Sequence, residues 1–147
     1  MDNRQYLDLK IIWKDDDMFE IKVSASNGRF SGITEVYDTP DSLLSFAKSL
    51  KGFPIGNKII FYEAGKKDGY AYFSMRFYAI DNFGHVGIQI CLEENVSTEF
   101  RAEEKDKISL ELLVEPSAID SFQNELIHLA EKQEGNATIY GNIMKTK

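Results

Sequence analysis

The sequence is short of the residues that most often carry chemistry or staple a fold. Its one cysteine, Cys91, has no partner in the chain, which excludes a disulfide framework and a thiolate metal site. Basic residues are outnumbered, 17 against 24 acids, for a formal net charge of −7 and a pI near 4.9. That balance disfavours nucleic acid or an anionic membrane as partner, because a phosphate backbone must be met by clustered Lys and Arg, and it suits a basic protein partner. No apolar stretch approaches the ~20 residues of a membrane-spanning helix. The amino terminus, MDNRQYLDLK, has no apolar h-region, so a cytoplasmic protein is expected. There is no internal repeat, low-complexity tract or linker. What the chain does have is 43% hydrophobic residues with ten Phe and seven Tyr, which argues against disorder. A chain of 147 residues is about one domain long and buries roughly 68–70% of its unfolded surface. A single globular domain over residues 1–147 is expected, with a frayed tail from about 144.

The best-specified stretch is Gly69 to Glu93, two apolar runs joined by Asp81-Asn82-Phe83-Gly84. Alternation puts Ala71, Phe73, Met75, Phe77 and Ala79 on one face of the first run, and Val86, Ile88, Ile90 and Leu92 on one face of the second. A four-residue loop pairs Ile80 with His85, and counting outward sets Phe77 opposite Ile88, Met75 opposite Ile90 and Phe73 opposite Leu92. A one-residue slip would turn all of these side chains to the wrong face, so the segment specifies its own register.

Before this hairpin, Tyr6–Lys14 alternates as a strand with Leu7, Leu9, Ile11 and Trp13 on one face. The acids Asp15, Asp16 and Asp17 form a turn, Phe19, Ile21, Val23 and Ala25 mark a second strand, and Asn27-Gly28 supplies a tight hairpin turn into a third strand, Arg29–Tyr37. Thr39-Pro40-Asp41 is a helix start, and Leu43, Phe46, Ala47 and Leu50 are its apolar stripe, stopped by Gly52 and Pro54. Lys58–Ala64 is a short strand. After the central hairpin, Glu93–Asp106 reads as strand ends around an acidic loop, with six acids against two bases. Ile108, Leu110, Leu112 and Val114 mark a last long strand, and Pro116 opens a second helix whose stripe is Ile119, Phe122, Leu126, Leu129 and Ala130. A weak strand over Ala137–Ile143 follows. The order β-β-β-α-β-β-β-β-α predicts an α+β fold, an antiparallel curved sheet with two helices packed against it.

Catalytic constellations are scarce. A nucleophile and its base need side chains within ~3 Å, whereas Cys91 and His85 are six residues apart on an extended run, ~20 Å. His128 stands at the edge of a helical stripe, where a histidine is usually a solvated side chain. Three consecutive acids at Asp15, Asp16 and Asp17 point three ways, unlike the alternating oxygens of a calcium loop, and are read as a solvated hairpin tip. The pairs Glu93-Glu94 and Glu103-Glu104 are read as solvated loop, and Gly65–Gly69 lacks phosphate-loop spacing. No catalytic residue, metal or cofactor is expected.

Two surfaces remain as candidates for partner binding. One is acidic: Asp15, Asp16 and Asp17 together with Glu93, Glu94, Glu103 and Glu104. The other is the face of the central hairpin opposite its core, where Tyr72, Arg76 and Tyr78 are of the types that dominate binding hot spots and Arg76 falls opposite Gln89.

The ordered set NGRFSG at Asn27–Gly32, the helical stripe Leu43, Phe46-Ala47 and Leu50, and DNFGHVGIQI at Asp81–Ile90 resembles small immunity-like proteins found beside wall-associated, contact-dependent toxins of bacteria. The likeness spans Leu7 to Leu129, with Phe30-Ser31-Gly32, Phe46-Ala47 and Gly84-His85-Val86 as its anchors; Val114-Glu115-Pro116 stands where the family has an Asp-Gln-Thr run. What the resemblance implies is an inhibitor that binds its cognate toxin and does no chemistry of its own. The alternative expectation is a small-molecule-binding or regulatory α+β domain with a pocket between sheet and helix.

Overall fold

The computed structural model describes residues 4–95 and 101–141. The expected frayed tail and the middle of the acidic stretch, residues 96–100, lie outside them. The element order is β1 (Gln5–Lys14), β2 (Phe19–Asn27), β3 (Ser31–Asp38), α1 (Pro40–Ser49), β4 (Ile60–Gly65), β5 (Ala71–Ala79), β6 (Val86–Asn95), β7 (Lys105–Val114), α2 (Pro116–Lys132) and β8 (Asn136–Tyr140). The fold is α+β, and its strands are shared between two antiparallel four-stranded sheets, β3-β2-β1-β8 and β4-β5-β6-β7.

The central hairpin has the register that its alternation demands. The Ile80 N–H donates to the His85 carbonyl at 2.9 Å, and Phe77 faces Ile88, Met75 faces Ile90 and Phe73 faces Leu92. All six of these paired side chains are buried. Asp81 shapes the loop by accepting from the Phe83 N–H at 2.8 Å, and Gly84 takes the positive φ of 87° that closes it.

The first helix starts where its capping residue stands, and the second opens on Pro116 without a side-chain cap. Thr39 Oγ1 accepts from the Ser42 N–H at 3.3 Å, with Pro40 at the first helical position. Leu43, Phe46 and Ala47 of α1 and Ile119, Phe122, Leu126 and Leu129 of α2 are buried. The Gln123 side chain donates to the Ala47 carbonyl at 2.9 Å, tying one helix to the other. Phe77 of β5 is the aromatic centre of the core, with ring centroids 5.8 Å from Phe46, 6.2 Å from Phe53 and 6.4 Å from Phe122.

Two local features differ from the expectation, and a third, the last strand, agrees with it. Trp13 leaves the core face of β1: the register with β2 shifts between Ile11 and Trp13, so Ile12 is the extra residue of a bulge and Trp13 falls opposite Glu20. Its ring is 46% exposed and meets Tyr37 edge-on at 6.1 Å. Second, β6 runs on to Asn95 and β7 begins at Lys105, after a 3-10 turn at Ala102–Glu104, so Glu93 and Glu94 are strand residues rather than loop. Third, the weak last strand is formed and pairs with β1, Leu7 opposite Ile139 and Leu9 opposite Ala137.

The two sheets meet along β3. A Cβ at Gly32 would lie 3.1 Å from Ile108 of β7 and 3.4 Å from Leu92 of β6, so the absence of a side chain lets the backbones come together. Thr34 Oγ1 donates to the Glu93 carbonyl of β6 at 2.9 Å. A Cβ at Gly65, where β4 ends, would lie 3.0 Å from Val36, and Asp38 accepts a short hydrogen bond from the Tyr62 hydroxyl of β4. Burial and the nearby Asp38 carboxylate raise the pKa of Tyr62 well above the ordinary phenol value and keep its proton on. From Gly32 to Asp38, then, β3 crosses β7, β6, β5 and β4 at one end of the second sheet.

Candidate protein-interaction surface

The outward face of the second sheet is laid down in rows by strand register. Phe61, Arg76, Gln89 and Glu111 form one row, and Glu63, Ser74, Cys91 and Ser109 the next. Arg76 donates through Nε and Nη2 to Gln89 Oε1, at 3.2 and 2.9 Å, and its guanidinium lies 4.8 Å from the centre of the Tyr78 ring. The Tyr78 hydroxyl donates to Glu111 on β7 in a short hydrogen bond, and burial together with that carboxylate raises its pKa far above the usual phenol range. The Tyr78 ring fills the space over Gly87, where an added Cβ would come within 2.6 Å of it. With Asn27 and Phe30 from the β2–β3 hairpin, these groups border a recess of about 590 Å³.

The acidic surface is built by the crossing of β3 over the second sheet. Glu20 and Glu35 face each other's neighbourhood on the outward side of β2 and β3, where Glu20 pairs with Tyr37 and Lys22 with Glu35. The ends of β6 and β7 bring up Glu94 and Asp106, which are paired across the ladder. Glu104 precedes β7 and is held by Arg101 at 3.2 Å. These five carboxylates border one concavity of about 310 Å³, with Tyr70 at its wall and no basic residue among the described residues that line it. A second concavity of about 400 Å³ adjoins it, shares Glu94 and Asp106, and runs past Phe30, Ile33 and Leu92.

The residues singled out in the sequence divide between these places and others. Glu94 and Glu104 belong to the acidic concavity, and Glu103 is exposed beside it. Glu93 does not face solvent: at 6% exposure its carboxylate accepts from the Asp68 N–H at 3.0 Å and holds the β4–β5 turn. Tyr72, in the same row, is also 6% exposed and reaches Glu63 with its hydroxyl, so it is structural rather than a contact surface. Arg76 and Tyr78 are half-buried and bonded to their own sheet. Asp15, Asp16 and Asp17 sit at the β1–β2 turn, all exposed, and Asp15 Oδ1 accepts from the N–H groups of Asp17 and Met18 at 2.8 and 2.9 Å. That is a turn-shaping role for the first of the three. Glu20, Glu35 and Asp106 were missed by sequence reasoning. Two of them are the outward members of alternating strands, where a lone acid carries no signal.

Groups with reactive chemistry are scattered. Cys91 is half-buried on β6 with its Sγ 3.6 Å from Ser109 Oγ. His85 lies before that strand and pairs with Asp81 at 2.5 Å, which raises the histidine pKa and lowers that of the aspartate. Asp68 is bridged by Lys105 and Lys107 at 3.1 and 3.2 Å, and their hydrogen bonds lower its pKa. Among the described residues no group of three or more His, Cys, Asp or Glu is placed to hold a metal ion, and no helix is long and apolar enough to cross a membrane. No family model, curated protein or solved structure matches this chain.

Proposed function

We propose that the protein is a non-catalytic, protein-binding inhibitor, an immunity protein that neutralises a bacterial toxin by covering its basic surface. The observation that carries this reading is the convergence of Glu20, Glu35, Glu94, Glu104 and Asp106, from both sheets, on one concavity. A chain of net charge −7 that concentrates carboxylates in a hollow offers a local negative potential stronger than scattered acids would. A toxin that acts on nucleic acid must present Lys and Arg, and matching potentials speed its capture and exclude wrong partners. The ordered motifs NGRFSG and DNFGHVGIQI, which resemble immunity-like proteins, support the same reading.

The first test is genomic, since a neighbouring gene is expected to encode a protein with a basic toxic domain; the second is kinetic, against that domain. Glu35→Gln with Glu94→Gln is expected to slow association and flatten its salt dependence while dissociation changes little. Association as fast as the parent at low salt, or no association of the parent at all, overturns the proposal.

A second reading, a domain that binds a small polar ligand, is favoured by the recess of about 590 Å³ beside Arg76 and Tyr78. Its volume falls in the range of ligand pockets. Its polar groups, however, already bond to one another, so a ligand would have to displace those bonds.

A further inference from the structure

We propose that the free edge of β3 is the docking site for an extended, lysine- or arginine-rich segment of the basic partner, which adds to the sheet as a further strand. The proposal rests on the inhibitor reading for the identity of the partner and on the strand edge for the mode of binding.

β3 is the terminal strand of its sheet. The Asn27 N–H donates to the Phe30 carbonyl to close the hairpin, and the register with β2 then runs without a shift to Asp38. Because antiparallel pairs alternate between bonded and non-bonded, the N–H and C=O groups of Ser31, Ile33, Glu35 and Tyr37 point away from β2. No backbone partner meets them among the described residues. Exposed edges are ordinarily blunted by lysine, proline, a bulge or shortness. β3 has none of these: its sequence is SGITEVYD over eight residues. Of the other edge strands, β8 is five residues long, β7 carries Lys105 and Lys107, and β4 is shorter than β3 at six residues.

The space beside this edge is a groove. The two adjoining concavities, of about 400 and 310 Å³, follow β3 from Phe30 to Glu35, and their shared wall is Glu94 and Asp106. Ser31 to Tyr37 spans about 20 Å, enough to pair some six residues of an added strand. Backbone pairing supplies affinity without choosing a sequence, and the side chains along the groove make the choice. Here they are Glu20, Glu35, Glu94 and Asp106, with Ile33 54% and Phe30 65% exposed at the rim; the one cation among the described lining residues, Lys107, is paired with Asp68 at 3.2 Å. Alternating cationic and apolar residues complement that pattern. A second copy of this chain does not, because edge-to-edge pairing of β3 would bring Glu35 and its acidic neighbours against their own kind.

The probe is a blocked decapeptide alternating lysine with valine, titrated into the whole chain and followed by amide NMR and hydrogen exchange. The expected result is slowed exchange at Ser31, Ile33, Glu35 and Tyr37, with little change at Gly32 and Thr34, whose N–H groups are already in the ladder. The same peptide methylated at alternate backbone nitrogens keeps its charge but cannot pair, and is expected to bind about tenfold more weakly or worse. Ile33→Pro removes an outward N–H while sparing the ladder, and should weaken the parent peptide similarly. No binding, unchanged exchange at those four amides, or equal affinity for the methylated peptide overturns the proposal, and the peptide comparison decides even if Ile33→Pro does not fold. A toxin that binds Ile33→Pro as tightly as the parent would remove the groove and leave the inhibitor reading intact. A peptide that pairs with β3 while no basic toxic domain encoded by a neighbouring gene binds would do the reverse.

Discussion

Thr34 Oγ1 donates a 2.9 Å hydrogen bond to the Glu93 carbonyl, and through this contact the edge of one sheet is anchored across the end of the other. The hydroxyl is fully buried, so the pair has no water to fall back on. Thr34→Val keeps the shape and removes the donor, and is expected to cost about 1–3 kcal/mol, read as a lowered urea midpoint with unchanged slope. Thr34→Ser should retain most of the stability. Equal midpoints for Thr34→Val and the parent would show that the inter-sheet bond contributes nothing.

Phe77 is fully buried and meets rings from α1, the segment after it, and α2. Truncation to alanine leaves a cavity that three separate elements would have to collapse into together. Phe77→Ala should cost about 3–5 kcal/mol and Ile88→Ala about 2–5, measured by chemical denaturation. A midpoint insensitive to either substitution would place the core elsewhere.

Gly87 lies beneath the Tyr78 ring, with room for no side chain. In Gly87→Ala the new methyl group displaces the ring and with it the bond to Glu111, for a loss of about 1–3 kcal/mol from overpacking. The near-ultraviolet dichroism of the tyrosines should change as well. Retention of both stability and spectrum would mean that the ring has an alternative seat.

The His85–Asp81 pair makes the central hairpin loop sensitive to pH. Its hydrogen bond raises the folded pKa of His85 above the ordinary 6.5 and lowers that of Asp81 below 3.8. For the histidine, the contribution to stability is complete below the unfolded pKa and is lost as pH rises through the folded one. For the aspartate, it is complete above the unfolded pKa and is lost as pH falls through the folded one. The pair therefore holds the loop best in mildly acidic solution, between those two limits. An NMR titration should show the His85 midpoint fall in Asp81→Asn, and identical midpoints in the two proteins would count against the pairing.

Much of this architecture was legible because its causes are local. The register of β5 on β6 follows from period-two alternation and a loop of fixed length, and the start of α1 from Thr39 and Pro40. Trp13 escaped the same reasoning because one extra residue, Ile12, reverses the face of everything beyond it, and no composition rule marks a bulge. The candidate site was half legible. Glu94 and Glu104 stood out as members of an acidic run, and Glu93 stood out with them, although it turns inward to hold the Asp68 turn.

By itself, then, the sequence determined the two helices, the succession of strands and helices along the chain, the central register and the acidity of the surface, all set by neighbours within a few residues. Which strands share a sheet was decided only by tertiary structure. An amphipathic strand presents the same apolar face to any partner of the right shape, and the choice between one sheet and two depends on close approaches such as Gly32 to Ile108 and Leu92. The acidic groove has the same origin. Glu20, Glu35, Glu94 and Asp106 come from β2, β3, β6 and β7, and a field shared by charges so far apart in the chain exists only once β3 lies across the second sheet.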